Sequence, residues 1–260
     1  MLTKLHAFNM HVQNLGLKGA LFYNLERIRC HLVHVSHPYK LYSKYALYPL
    51  VCRPYTSDYS VFWQIFAVRE YSCLDNITEA KLVIDCGANV GYSSAYFLSR
   101  YPKAEVIAVE PDPGNFSILA TNLASYGARA KVINSAVWSH VTDLTYIESS
   151  LGLGKEWARQ LRETKDGETP SLKAKDIGTL LEESGSETIS ILKVDVEGSE
   201  ETIFSSNYEG WINRVENIVI ELHGKKSKLV FMEAISKIGF DCSQFGELTV
   251  CKRRTLASTQ

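Results

Sequence analysis

The chain has 260 residues, enough for one large α/β domain with a sizeable buried core. Apolar residues make up 45% of it and charged residues 22%, which is ordinary for a globular protein. With a formal net charge of -1, no overall field favours nucleic acid or a membrane, and no apolar run is long enough to span a bilayer. The six cysteines form no C-x-x-C pair, so we expect reduced thiols and a cytoplasmic protein.

The first 50 residues differ in composition from the rest. They hold six lysines and arginines, a single acid (Glu26) and five of the seven histidines. We predict one or two helices that cover the sheet or a substrate cleft. The basic surface is either merely solvated or recruits an anionic substrate, partner or lipid, and it is a candidate surface for homo-oligomerisation. His31, His34 and His37 recur every third residue, which leaves a zinc site open, although no cluster of acids accompanies them.

A glycine loop follows the first apolar strand of the predicted sheet. Leu82–Ile84 is predicted to be a buried strand, Asp85 ends it, and Gly87 and Gly91 bend the loop that opens a helix over Tyr92–Tyr101. The loop has neither the G-x-G-x-x-G of a dinucleotide site nor the G-K-[ST] of a P-loop. A carboxylate at this position repels pyrophosphate and attracts an ammonium group. The predicted ligand is therefore a nucleoside with a cationic tail, and S-adenosylmethionine fits that description.

The next strand ends in a second acid. Glu105–Val109 is followed by Glu110, about twenty residues beyond the glycine loop, where a ribose-binding carboxylate is expected. Asp112 is predicted to cap the following helix. A third strand, Lys131–Val137, reaches the level of an adenine ring. The residues predicted to bind the cofactor are Asp85, Gly87, Ala88, Asn89, Gly91, Tyr92, Glu110, Pro111, Asp112, Ser135 and Ala136.

A long interval, residues 138–188, separates the third strand from the next strong apolar run. Within it we predict a short strand at Thr142–Ile147, a helix at Lys155–Arg162 and a crossover helix at Asp176–Glu183. The polar part of the interval is predicted to be a mobile insertion, and a substrate lid and plain disorder both stay open.

Two later strands end in polar residues. Ile189–Val194 runs into Asp195, and Asn217–Glu221 is followed by His223. Because the carboxyl ends of parallel strands meet at one edge of a sheet, the polar residues there are expected in a single cleft. These residues are Asp195, Glu197, Glu221 and His223.

Four segments together resemble the FkbM-type family of S-adenosylmethionine-dependent methyltransferases. They are Asp85–Gly91, Glu110–Pro113, Leu192–Glu200 and Val219–His223, and the D-V-E-G-x-E element in the third is the most specific. The resemblance extends over about residues 53–252. It implies a class I methyltransferase and transfer of a methyl group to a hydroxyl of a sugar or natural product.

The expected fold is a Rossmann-like α/β domain with a mainly parallel seven-stranded sheet. A hairpin over residues 240–251 supplies the antiparallel edge. The chain then divides into an N-terminal helical cap (1–78), a catalytic domain (79–252) and a tail (253–260).

The resemblance also implies that the segment ahead of the first strand borders the cofactor. That segment carries a helical apolar stripe from Val61 to Val68, which is expected to pack on the sheet. Arg53, Asp58 and Tyr71 are therefore candidates for the active-site mouth, with Glu197 and Glu221 as further substrate contacts.

Methyl transfer to a hydroxyl requires positioning and a base within hydrogen-bond reach. Asp195 and His223 are both candidates, since an imidazole titrates near neutrality whereas an aspartate needs desolvation to raise its pKa. A second hypothesis places Mg²⁺ between Asp195 and Glu221, but a metal-free site is favoured.

The alternatives to a methyltransferase are a non-catalytic S-adenosylmethionine- or nucleotide-binding protein and a nicotinamide-dependent oxidoreductase. The neutral charge disfavours a nucleic-acid substrate, so the expected acceptor is a small molecule or glycan.

Overall fold

A long helix begins the structure, a computed structural model that describes residues 2–147, 161–236 and 238–254. The helix bends at Gly16, whose φ of 79° and ψ of 164° lie outside the helical region. The N-terminal part comprises α1 (Leu2–Leu32), β1 (Tyr39–Leu41), β2 (Leu50–Cys52), α2 (Asp58–Phe62), a π-helical turn (Trp63–Val68) and a 3₁₀ helix (Glu70–Leu74).

The rest of the chain alternates strands and helices. It comprises β3 (Leu82–Cys86), α3 (Tyr92–Arg100), β4 (Glu105–Val109), α4 (Pro113–Leu123), a second 3₁₀ helix (Ala124–Arg129), β5 (Ala130–Ile133), β6 (Ala136–Val137), β7 (Thr142–Tyr146), β8 (Leu161–Glu163), β9 (Leu172–Lys175), α5 (Ile177–Ser184), β10 (Ile191–Val194), α6 (Glu200–Ser205), α7 (Glu209–Ile212), β11 (Asn217–Glu221), α8 (Gly224–Ser236), β12 (Phe240–Phe245) and β13 (Leu248–Arg253).

The main sheet has seven strands in the order β12-β13-β11-β10-β3-β4-β5. All neighbours are parallel except the two pairs that involve β13. This confirms the expected class I methyltransferase fold, with its antiparallel C-terminal hairpin. The order reverses between β3 and β10, and ligands of open α/β sheets bind where such a reversal opens a crevice.

Both faces of the sheet are covered, which is why the whole of β3 is buried. One face packs against the cap and α3 through aromatic rings that include Phe62, Phe66 and Tyr96. The other face packs on α5 to α8, where the rings of Phe204 and Phe231 lie 4.9 Å apart. Of the apolar stripe predicted for the segment ahead of the first strand, Phe62, Ile65 and Phe66 thus enter the core, whereas Val68 is 49% exposed.

The third predicted strand proves to be two strands in two sheets. β5 belongs to the main sheet, whereas β6 pairs with β9 in a second sheet of order β6-β9-β7-β8. The chain leaves the main sheet at Asn134, whose Nδ2 donates to the Glu110 carbonyl at 2.8 Å. Three strands of the long interval, β7, β8 and β9, therefore belong to this second sheet, which contributes Tyr146 and Leu161 to the crevice wall.

Two of the other elements predicted for this interval are present, and a third lies mostly outside the described residues. The short strand at Thr142–Ile147 is confirmed as β7. The crossover helix is confirmed as α5, capped by the Asp176 carboxylate, which accepts from the Thr179 N–H at 2.9 Å. Most of the helix predicted at 155–162 lies outside the described residues, and its last two positions belong to β8.

The cap is tied to the catalytic region by hydrogen bonds to β2. The Tyr92 hydroxyl donates to the Val51 carbonyl at 2.7 Å, and the Val51 N–H donates to Asn122 Oδ1 at 2.7 Å. Asn122 Nδ2 in turn donates to the Val90 carbonyl in the glycine loop at 2.8 Å. Within the described ranges, no helix combines the length and apolar character that crossing a bilayer requires.

The closing hairpin carries a disulfide. Cys242 and Cys251 are directly opposite each other on β12 and β13 and are bonded. The expectation of reduced thiols is therefore wrong for this pair, because antiparallel pairing brings together residues that a search for C-x-x-C overlooks. The other four cysteines are free.

Candidate active site

Two cavities open at the carboxyl ends of the strands, where the strand order reverses. The narrow cavity, of about 100 Å³, has Glu110, Ser135 and Tyr146 in its wall. The wide cavity, of about 670 Å³, has Tyr55 and Tyr71 in its wall and lies on the side of the cap. The residues common to both walls are Gly87, Asn89, Asp195 and Glu197.

Most of the residues predicted to bind the cofactor line one of these cavities. Those in the wall of the narrow cavity are Gly87, Asn89, Glu110, Pro111, Asp112, Ser135 and Ala136. Ala88 and Tyr92 lie in the wall of the wide cavity. Asp85 and Gly91 lie behind both walls.

Gly87 holds the backbone of the loop against the end of β10. Its φ is 77°, and a Cβ at this position would lie 1.8 Å from the Asp195 carbonyl oxygen, so no other residue fits. The N–H groups of Gly87 and Ala88 donate to the Val109 carbonyl at 3.0 and 2.9 Å. The loop is therefore fixed between β4 and β10, and it separates the two cavities.

Glu110 presents a buried carboxylate to the narrow cavity. Its Oε2 accepts from the Asn89 N–H at 2.8 Å, and its Oε1 accepts from the Asp112 N–H at 2.9 Å. Burial raises the pKa of Glu110 to about 7, although these two hydrogen bonds oppose the rise. An acceptor oriented in this way suits a ligand with adjacent hydroxyls.

Asp85 needs a correction, because its charge is already balanced inside the protein. It is fully buried, and its Oδ2 accepts from the hydroxyls of Ser93 and Ser94, each at 2.6 Å. Its Oδ1 lies 3.2 Å from Lys193 Nζ. Asp85 therefore does not face the ammonium group of a ligand but orders the first turn of α3.

Gly91 also has a structural role. It precedes α3 with a φ of 85°, and a Cβ there would lie 2.7 Å from Leu119 Cδ1. Its lack of a side chain lets α3 and α4 pack closely behind the glycine loop.

Lys193 is a site residue that the sequence analysis missed. Its Nζ donates to the Gly87 carbonyl at 2.6 Å and lies 3.7 Å from Asp195 Oδ2. Burial lowers the pKa of Lys193, but Asp85 and Asp195 outweigh it and hold the pKa well above the usual value. The sequence did indicate this role, because Lys193 is the one charged residue in the apolar strand Ile191–Val194. A cation buried in such a strand requires charged or polar partners nearby.

Glu200, the second residue missed, fixes the orientation of His223. It is fully buried, and because a carboxylate can only accept, His223 Nδ1 must carry the proton of their 2.9 Å hydrogen bond. His223 Nε2 then lies 3.5 Å from Glu221 Oε1 and 3.6 Å from Glu197 Oε2. Glu200 and Glu221 raise the pKa of His223 to about 11, although burial opposes them. Near neutral pH this histidine is therefore an imidazolium.

Asp195 lies between this cluster and Lys193. Burial raises its pKa, the Lys193 ammonium lowers it, and the Glu221 carboxylate adds to the rise. Among the described residues, Asp195, Glu197 and His223 also form the one group whose ligand atoms, within 4.8 Å of one another, could hold a metal ion. Two carboxylates and an imidazole would suit Mn²⁺ or Zn²⁺ better than Mg²⁺, which prefers oxygen ligands alone.

The candidates for the active-site mouth divide into two kinds. Arg53 and Asp58 form a partly buried ion pair, with Nη2 to Oδ1 at 2.8 Å, and Arg53 also donates to Asn115 Oδ1 at 2.7 Å. They are outside both cavity walls and anchor the cap to α4, which corrects the expectation for these two residues. Tyr71 lines the wide cavity, as do Glu197 and Glu221.

Comparison with known proteins agrees with this geometry. The model of the family described as methyltransferase FkbM domain matches residues 85–249, from the end of β3 into β13. The chain belongs to the FkbM methyltransferase family. The FkbM match begins at Asp85 and includes all four residues common to the two cavities.

Two fungal proteins and one bacterial structure illustrate what this FkbM-family chain is similar to. Methyltransferase sdnD of Sordaria araneosa is 29% identical over 62% of this chain and 73% of its own length. Methyltransferase 1 of Beauveria bassiana is 24% identical over 56% of this chain and 66% of its own length. An rRNA methylase from Streptococcus thermophilus superposes with a TM-score of 0.43 and 10% identity, over 72% of this chain and 96% of that one.

Proposed function

We propose that this FkbM-family methyltransferase is an S-adenosylmethionine-dependent O-methyltransferase. Its acceptor would be a small molecule or glycan with free hydroxyls, such as a sugar or a hydroxylated natural product. The observation that carries the proposal is that the narrow and wide cavities meet at Asp195. A nucleoside cofactor and an acceptor would therefore approach one carboxylate from opposite sides.

The narrow cavity suits the nucleoside part of the cofactor. Glu110 would accept hydrogen bonds from the ribose hydroxyls, as acids at this position of Rossmann-like sheets do. The adenine ring would lie past Ser135 and Ala136 and extend toward the surface beside Tyr146. When bound, S-adenosylmethionine supplies an electrophilic methyl group on a sulfonium.

The wide cavity suits a polar acceptor. Its volume of about 670 Å³ is within the usual range of small-molecule sites. The segment ahead of the first strand contributes side chains to its wall that can hydrogen-bond hydroxyls, and these are Thr56, Ser57, Ser60, Gln64 and Glu70. This lining favours a sugar or another hydroxylated acceptor.

Asp195 is the better of the two candidate bases. It lines both cavities, and burial makes it a stronger base than an exposed aspartate. His223 keeps its proton near neutral pH and cannot accept another. We infer that Asp195 takes the proton of the acceptor hydroxyl, while Lys193 holds positive charge 3.7 Å away.

A metal-assisted version of the reaction remains a hypothesis. A divalent cation bound by Asp195, Glu197 and His223 would acidify an acceptor hydroxyl. It is not favoured, because His223 must lose its proton to bind a metal, whereas its carboxylate neighbours stabilise the protonated form. Turnover that survives exhaustive chelation would exclude it.

Ligand-induced stabilisation and product analysis test the proposal. S-adenosylmethionine should raise the melting temperature and NAD should not, which would separate this protein from a nicotinamide-dependent oxidoreductase. Transfer of a labelled methyl group to a panel of glycans and hydroxylated small molecules should then yield a methyl ether. Stabilisation by NAD alone, or methylation only at nitrogen or carbon, would contradict the proposal.

The base assignment predicts a specific loss of turnover. Asp195→Asn should lower kcat by about 10²–10⁴-fold, because general-base catalysis contributes that much, and should change the Kd of S-adenosylmethionine much less. Asp166→Asn, the same change at an exposed position in the described chain, is the control. Near wild-type kcat for Asp195→Asn would rule out this role.

A further inference from the structure

An exposed apolar stripe runs along the second half of α1. Its five side chains are between 53% and 77% exposed. The spacing of four, four, three and four residues keeps them within about a quarter of the helix circumference. The face opposite them, with Tyr23 and Glu26, is buried against the cap and α2. The residues of this stripe are Leu17, Leu21, Leu25, Ile28 and Leu32.

Basic residues flank the stripe on both sides. At about 3.6 residues per turn, Lys18 and Arg29 lie along one margin, and Arg27 and His31 lie along the other. All four are exposed. Glu26, the single acid of the first 50 residues, is buried, and its Oε2 lies 2.6 Å from Arg29 Nε, so the charge of Arg29 is already paired within the helix. The outer face of this helix therefore carries apolar and basic groups without an acid.

An apolar stripe between basic margins limits what kind of partner can cover this face of α1. A second copy of the chain, in either helix orientation, would bring basic margins against basic margins with no acid to balance them. A lipid layer with an apolar interior and anionic headgroups would bury the apolar stripe and pair with the basic residues beside it. Charge distribution over the chain agrees, since residues 1–50 carry a net charge of +5 whereas the whole chain carries -1.

We propose that α1 is a docking surface for anionic lipid membranes. The helix would lie in the plane of the interface, with the stripe of five residues in the headgroup–acyl boundary and Lys18 and Arg27 on lipid phosphates and carboxylates. Docking in this plane requires no membrane-spanning segment.

The end of this helix is attached to the rim of the wide cavity. The Val35 N–H donates to the Tyr55 hydroxyl at 2.9 Å, and the His34 ring stacks on the Tyr55 ring with centroids 5.5 Å apart. Tyr55 lines the wide cavity, and Leu32 and Val33 are exposed beside it. Docking would therefore place the mouth of the wide cavity close to the lipid headgroups.

Vesicle co-sedimentation tests the proposal without any assumption about turnover. The full chain should bind vesicles of phosphatidylcholine that contain phosphatidylserine, and this binding should weaken as salt is raised. Leu25→Asp combined with Ile28→Asp should reduce the bound fraction at least tenfold with little change in melting temperature, because both side chains are exposed. Leu229→Asp, at a leucine on α8 that is 70% exposed, is the matched control and should bind as wild type does.

Three outcomes would overturn the proposal. The first is no binding of the wild-type chain to anionic vesicles. The second is equal binding to vesicles of phosphatidylcholine alone, which would remove the part played by the basic margins. The third is a dimer in solution that the double variant dissociates, since a second copy would then cover the stripe.

Discussion

Three carboxylates around the two cavities each have a pKa raised to about 7, and burial is the main cause. They belong to Glu70, Glu110 and Glu197. Each of these groups binds a proton more tightly in the folded protein than in the unfolded chain. Folding is therefore most favoured at low pH with respect to these groups, and it becomes less favoured as pH rises through their shifted range. Near neutral pH these three carboxylates therefore lower the free energy of unfolding, and they provide hydrogen-bond acceptors for a ligand.

The raised pKa of Glu110 predicts that the free energies of unfolding of wild type and Glu110→Gln differ by an amount that depends on pH. The pKa of Glu110 moves from 4.5 to about 7, so the wild-type free energy of unfolding should fall relative to the variant by roughly 3 kcal/mol as pH rises from 4.5 to 7. Urea unfolding of both proteins across that range measures the difference. A constant difference would show that Glu110 titrates normally.

The ribose contact predicts a loss of cofactor affinity. A hydrogen bond to a charged group contributes about 1.5–3 kcal/mol, so Glu110→Ala should weaken S-adenosylmethionine binding about tenfold or more. Calorimetry measures the change, with Glu105→Ala at the exposed start of β4 as the control. An unchanged Kd for Glu110→Ala would remove the ribose assignment.

At the scale of residues, the sequence identified most of the wall of the narrow cavity but less than half of the wall of the wide one, and it missed the charge balance behind them. The glycine loop and Glu110 follow from local spacing. The partner of Asp85 is Lys193, more than 100 positions further along the chain, so Asp85 alone suggested an unpaired carboxylate. The protonated state of His223 likewise depends on Glu200, which sequence spacing could not distinguish from a helix-dipole residue.

At the scale of elements, the parallel strands were predictable because both of their faces are buried. Runs such as Leu82–Ile84 and Ile218–Ile220 are continuously apolar and buried, so they are recognisable in the sequence. The switch between sheets at β5 and β6 was not predictable, since apolar residues continue past Asn134 although the hydrogen-bond partners change. The three-residue strands β1 and β2 are too short to show a period.

The disulfide makes a testable contribution to the closing hairpin. It closes a loop with a sequence separation of 9, and a loop of that length constrains the unfolded chain by about 2–3 kcal/mol. Cys242→Ser should lower the free energy of unfolding by about that amount and make stability insensitive to dithiothreitol. Cys73→Ser, at a free cysteine, is the control and should keep that sensitivity. No effect of the reductant on wild type would show that the bond is not formed.

At the scale of the molecule, the cap and the catalytic region share one core. Leu15, Tyr23 and Phe62 of the cap pack in the same cluster as Val83 of β3 and Tyr96 of α3. The boundary predicted at residue 78 therefore separates two stretches of sequence whose side chains occupy one hydrophobic core. We expect them to unfold together.

A truncation tests this cooperativity. A chain that begins at residue 79 would expose the sheet face that the cap covers and should fail to fold. The expected results are a loss of near-ultraviolet circular dichroism and of cooperative melting. Removal of residues 255–260 is the control and should change neither. A truncated chain that melts cooperatively and binds S-adenosylmethionine would instead establish an independent catalytic domain.

The hairpin also bears on how the protein is handled. β12 is a six-residue strand at one margin of the main sheet, and no described strand pairs with its outer side. Unpaired strand margins can template pairing with other chains. The cystine locks β12 to β13 and limits fraying there. Purification in strong thiol reductants should therefore favour precipitation, and an oxidising buffer should prolong shelf life.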